Sequence, residues 1–184
     1  MGETAESGLH YRRWDVIERD IDYLPRWVWS PRFKPGKTKE LRLTAAEMRT
    51  IVRAAKGYSR KILLVLTVLC KRNGKIRISA DRCSKYVGCA WLTANNALKK
   101  LTAAELITAQ RGKVTYFNDH PVAEAKTYEV HLPAGEQGSA SVSIPYPFIP
   151  EVFKPFWKDA VGLLTSGEIR KYFTAKEKME LMNK

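Results

Sequence analysis

The stretch VGCAWLTANNALKKLTAAELI, from Val87 to Ile107, sets a hydroxyl, two amides and two ammonium groups within eight positions, Thr93 to Lys100. An asparagine amide both donates and accepts, so Asn96, with Asn95 beside it, has the chemistry to pair bidentately with adenine. Thr93 can donate or accept, and Leu92 can lie against a thymine methyl. Lys99 and Lys100 suit phosphates flanking a groove. The plainer reading of the same residues is a solvated face, which any surface helix shows.

Covalent chemistry has weaker support. The sequence contains no P-loop, HExxH, dinucleotide-binding glycine pattern or nucleophile elbow. Asp15, Glu18, Asp20 and Asp22 form one acidic cluster that could hold a nuclease metal, but Arg12, Arg13 and Arg19 among them point to ion pairing. His10, His120 and His131 stand in unrelated contexts. Cys70, Cys83 and Cys89 fit neither a disulfide framework nor a zinc spacing, so buried apolar roles are expected. The expectation is therefore a protein without enzymatic activity, metal or cofactor.

The charge balance favours a polyanionic partner. Thirty-two basic against 19 acidic residues give +13 and a pI near 9.8. Residues 31–75 hold thirteen basic and two acidic groups, so most of the excess lies in one block. Arg32, Lys34, Lys37, Lys39 and Arg42 occupy a Pro/Gly-rich arm that could follow phosphates or enter a minor groove. Arg49, Arg53, Lys56, Arg60 and Lys61 would continue the stripe. Arg111 and Lys113 add a further phosphate contact near Tyr116. The longest apolar run, Ile62 to Cys70, is too short for a membrane span, and the first residues lack a signal-peptide pattern. A cytoplasmic protein associated with nucleoid or plasmid is expected.

These groups need elements to position them. Thr44 and Glu47 form a capping-box signature, with Leu43 and Met48 as a staple, for a helix through Ala55 that Gly57 would stop. Ser59 would cap a second, centrally buried helix ending at Asn73-Gly74. Lys75 to Ser79 alternates as a strand, and Ser79 caps a short helix over Asp81 to Val87, stopped by Gly88. A helix over 89–103 follows, then strands at Ile107 to Arg111 and Lys126 to Leu132, joined by residues 112–125. At about 100° per residue, Trp91, Leu98 and Leu101 turn toward the core, while Leu92, Thr93, Asn96, Lys99 and Lys100 turn away.

This order, with the segment SADRCSKYVGCAWLTANNALKKLTAAELI, resembles the winged helix-turn-helix DNA-binding family of bacterial, plasmid or phage type. Ser79 matches the cap of its second helix, Cys83 and Val87 the core positions, and Gly88 the turn. Thr93, Leu98 and Leu101 match the groove-reading helix, and Tyr128, Val130 and Leu132 the returning wing strand. Three positions depart from the pattern: Ala90 replaces a polar cap, Glu105 replaces a glycine, and the wing is long. The expected fold class is α+β. A basic extension spans residues 1–43, a winged helix-turn-helix domain 44–132, and a linker with an aromatic, Pro-rich extension ending in a helix 133–184.

The resemblance implies a sequence-specific duplex DNA-binding protein, a transcriptional regulator or a plasmid or phage maintenance factor. A homodimer is expected because paired half-sites extend a short readout. Two alternatives remain: a winged-helix module for protein interaction in a nucleoprotein assembly, and a basic RNA-binding protein. For the first, Phe148, Phe153, Phe156 and Trp157 of the C-terminal extension offer a partner surface, unless they fold back over their own core.

Overall fold

The computed structural model describes residues 40–117, 120–132 and 140–182. Among these the fold is α+β, with seven helices and small antiparallel sheets. Its elements follow from local chemistry that can be taken in chain order.

Strand β1 (Arg42–Thr44) leads into helix α1 (Ala45–Ala54). The Thr44 hydroxyl accepts from the Glu47 amide at 3.2 Å, and the Glu47 carboxylate accepts from the Thr44 amide at 2.8 Å. The expected capping box is therefore present, a device contributing about 1 kcal/mol. Leu43 and Met48 are both fully buried, as a staple requires. The helix ends earlier than Gly57, at Ala55, whose backbone is extended. Helix α2 (Gly57–Asn73) then begins two residues before Ser59, so Ser59 is not its cap. Ile62 to Val68 are buried without interruption, all round the helix, which makes α2 the central element.

Strand β2 (Lys75–Arg77) follows, then helix α3 (Ala80–Val87) and helix α4 (Trp91–Ala103). Strands β3 (Ile107–Gln110) and β6 (Thr127–Val130) pair antiparallel with Ile107 opposite Val130, and β2 pairs on the other side of β6, giving the order β2-β6-β3. The long connection between these strands, residues 112–125, contains a hairpin of its own, β4 (Val114–Phe117) with β5 (His120–Ala123). Tyr116 and His120 are thus strand residues. Gly112 makes the passage into that hairpin possible, since a Cβ there would stand 2.5 Å from the Glu124 carbonyl oxygen.

The C-terminal third shares the core. Strand β7 (Ser141–Ser143) pairs with β1, placing Leu43 opposite Val142. Helix α5 (Pro150–Val161) starts with proline at its first position, where the missing N–H costs nothing. Its Pro155 is exposed, while Phe153, Phe156, Trp157, Ala160 and Val161 face inward at helical spacing. The one helix expected to end the extension is two: α6 (Ser166–Tyr172) and α7 (Ala175–Met182). Thr174 divides them by taking the Glu177 amide on its hydroxyl at 3.3 Å and giving its own N–H to the Glu177 carboxylate at 2.8 Å.

One cluster of buried residues runs from Leu43 through α2 and α4 to Phe173. No helix among the described residues is long and apolar enough to cross a membrane.

Candidate nucleic-acid interface

Helices α3 and α4 form the candidate site. Ser79 caps α3 by accepting the Arg82 amide at 3.1 Å. Gly88 closes it in the left-handed region, φ 68°, and donates to the Ser84 carbonyl at 2.8 Å. A residue with a Cβ would be strained there, so glycine fixes the sharp turn that launches α4. Cys83 is fully buried, and burial pushes its thiol up to about 12. Tyr86 braces α3 from the other side, donating its hydroxyl to the Phe148 carbonyl at 2.7 Å and stacking on the Phe148 ring at 5.5 Å.

Helix α4 packs against both α2 and α3. Ala94, Ala97, Leu98 and Leu101 are its buried residues, and the two alanines allow the close approach. At about 100° per residue this leaves Leu92, Asn96, Lys99 and Ala103 pointing away from the core. All four are exposed. Thr93 and Asn95 are half-buried at opposite edges of that stripe, and exposed Lys100 lies on the Thr93 edge. The stripe is narrower than expected, with Thr93 at its margin. The side chains of Asn96, Lys99 and Lys100 form no hydrogen bond or ion pair with another described residue. Ala90 provides no side-chain cap, so the first amides of α4 lack that partner.

Trp91 corrects the sequence expectation. Its angle lies roughly 70° from the centre of the buried face, yet it is 55% exposed and Leu92 is 59% exposed. As the first residue of α4, it has no preceding turn of its own helix for its side chain to lie on. The result is an exposed apolar pair at the start of the helix.

Arg111 and Lys113 are exposed between β3 and β4, and neither forms an ion pair among the described residues. Arg32, Lys34, Lys37 and Lys39 lie outside the described residues. Arg42 is not on an extended arm: it sits in β1, 2.9 Å from Glu40. Glu40 also receives the Ser143 hydroxyl, and these two bonds, Ser143 first, hold its carboxyl below the ordinary value.

The proposed continuation of the basic stripe is largely occupied. Arg49 pairs with Glu168 at 2.8 Å, Lys61 with Glu180 at 3.1 Å, and Lys71 with Glu47. Arg60 is fully buried, 3.3 Å from Glu177, and it donates to the Ala55 and Tyr172 carbonyls at 3.1 and 2.8 Å. Arg49, Arg60 and Lys61 fasten the C-terminal helices to α1 and α2, and Lys71 ties α2 to α1. Arg53 and Lys56 alone of the five remain exposed without an ion pair among the described residues.

The four aromatic residues expected at a partner surface lie elsewhere. Phe153, Phe156 and Trp157 are 4%, 3% and 7% exposed within the common core. Phe148 is half-buried, edge-on to Phe153 and Phe156 at 6.4 and 5.5 Å. Apolar packing in the same chain covers them, so reaching a partner would require opening the core.

Among the described residues no group of three or more His, Cys, Asp or Glu side chains could hold a metal ion. No protein-family model matches the chain, and neither does any curated protein or solved structure.

Proposed function

We propose that the protein binds duplex DNA sequence-specifically as a winged helix-turn-helix protein, with α4 in the major groove. The observation that carries this reading is the outward stripe of α4. It is an exposed asparagine amide, without a side-chain partner among the described residues, set between Leu92 and Lys99 on a helix anchored by α2 and α3. Asn96 reads an adenine edge, Leu92 meets a thymine methyl, and Thr93 contributes from the margin. Lys99, Lys100, Arg111 and Lys113 hold phosphates, and the uncapped amides of α4 offer a further anion contact. The α3-turn-α4 order, followed by β3 and β6 with a hairpin between them, supports the same assignment. The role is recognition without catalysis, in regulation or in plasmid or phage maintenance, and a homodimer would extend the site.

Selection from a random duplex pool tests this. A consensus sequence should emerge from the bound fraction, and its affinity should fall steeply with salt as counterions are released. Absence of enrichment together with absence of duplex affinity at low salt would overturn it.

A second reading rests on Trp91 and Leu92. Two adjacent large apolar residues at a helix start also suit docking to a protein, since such groups are enriched at interface centres. Under that reading Trp91→Ala abolishes a protein complex and leaves duplex affinity unchanged.

A further inference from the structure

A cavity of about 470 Å³ opens beside the turn between α3 and α4. Its walls come from the first turns of α2, the end of α3 at Lys85 to Gly88, α5 and α7. Four lysines line it, Lys61, Lys85, Lys154 and Lys158, against one acid, Glu180. Aromatic surface stands among them: the Lys61 ammonium lies 5.6 Å from the centre of the Tyr58 ring and 5.8 Å from that of Trp157. Tyr58 lines the cavity and is 43% exposed.

The two ingredients ask for one kind of ligand. Lysines gathered at a cavity favour phosphate, which ammonium groups bind as point charges. A partly exposed tyrosine ring beside the lysines favours a planar partner. The volume falls within the range of small-molecule sites. Lys61 and Lys85 already meet Glu180 and Asp81, at 3.1 and 2.8 Å, but the acids are 48% and 58% exposed. The Lys85 pair is open to water on both sides and therefore weak, and a phosphate can displace it.

We propose that this cavity binds a nucleoside phosphate, with the base on Tyr58 and the phosphates among Lys61, Lys85, Lys154 and Lys158. A free nucleotide and the 5′-phosphorylated end of a single strand present the same unit. The site does not depend on the duplex-binding reading, and it is tested without duplex DNA present.

The test is calorimetric titration of the full chain at low salt with ADP, a 5′-phosphorylated oligothymidylate, adenosine and inorganic phosphate. ADP or the oligothymidylate should bind with submillimolar affinity, the tighter of the two identifying the source. Adenosine and phosphate should each bind at least tenfold more weakly, and so should the better ligand to Tyr58→Ala or to Lys85→Ala/Lys154→Ala. All three positions are exposed, so the variants should unfold at the wild-type temperature. Phosphate binding as tightly as both nucleotides, variants that bind like wild type, or failure of both nucleotides to bind at millimolar concentration would each overturn the proposal.

Discussion

The Arg60 guanidinium lies 4.3 Å from the centre of the Phe173 ring, joining the first turns of α2 to the break between α6 and α7. Its donors reach the Ala55, Val52 and Tyr172 carbonyls and the Glu177 carboxylate. Burial lowers its pKa, and Glu177 opposes that shift. A cation so enclosed is held by the carbonyls and the carboxylate together, and removing it leaves Glu177 without its counter-charge and three carbonyl groups without this donor.

Arg60→Ala should therefore destabilise the fold by about 3–5 kcal/mol in urea unfolding, the cost of breaking a buried charge pair. A loss below about 1 kcal/mol would show that α7 does not depend on this contact. Loss of duplex affinity with unchanged stability would return Arg60 to the nucleic-acid interface.

Acid should loosen the same region. The Thr165 amide, then the Thr165 hydroxyl and Arg49, hold the Glu168 carboxyl below its ordinary value of 4.5, against partial burial that raises it. A depressed folded pKa contributes stability above the unfolded value and loses it as pH falls through the folded one. The stability gap between wild type and Glu168→Gln should be constant from about pH 6 to 8 and narrow below about pH 4.5. A gap that persists undiminished to pH 3 contradicts this.

Glu105 occupies the left-handed region with φ 57°, between α4 and β3. A non-glycine residue there is strained by roughly 1–2 kcal/mol, partly offset by the greater entropy glycine brings to the unfolded chain. Glu105→Gly should stabilise by about 0.5–1 kcal/mol, raising Tm by roughly 1–4 °C. A lower Tm would mean that the side chain makes a contact worth more than the strain.

Much of the α3-α4 region was legible because caps and turns are local. Ser79, Gly88 and the alanine-leucine face of α4 behave as their types and spacing imply, and the departure at Glu105 marked the position the backbone bends. Trp91 misled because helical angle ignores where the helix begins. Arg60 could have been placed: Leu63 and Leu64, its neighbours at i+3 and i+4, belong to a helix read as buried all round. Helix α5 was hidden by Pro150 and Pro155, although Phe153, Trp157, Ala160 and Val161 recur at helical spacing. Pairing of β1 with β7 joins residues about a hundred positions apart, and no local pattern reports that. Nor could charge alone tell which lysines and arginines would meet Glu168, Glu177 and Glu180.

The most direct test of the central claim is the affinity of wild type and Asn96→Ala for a selected duplex and for each of its single-base variants, at two salt concentrations. Wild type should lose about 1–3 kcal/mol on substitution of the base pair that Asn96 reads, and Asn96→Ala should lose that discrimination while keeping the same salt dependence. Equal weakening of Asn96→Ala on every duplex, with selectivity intact at all base pairs, would contradict groove reading by this face of α4.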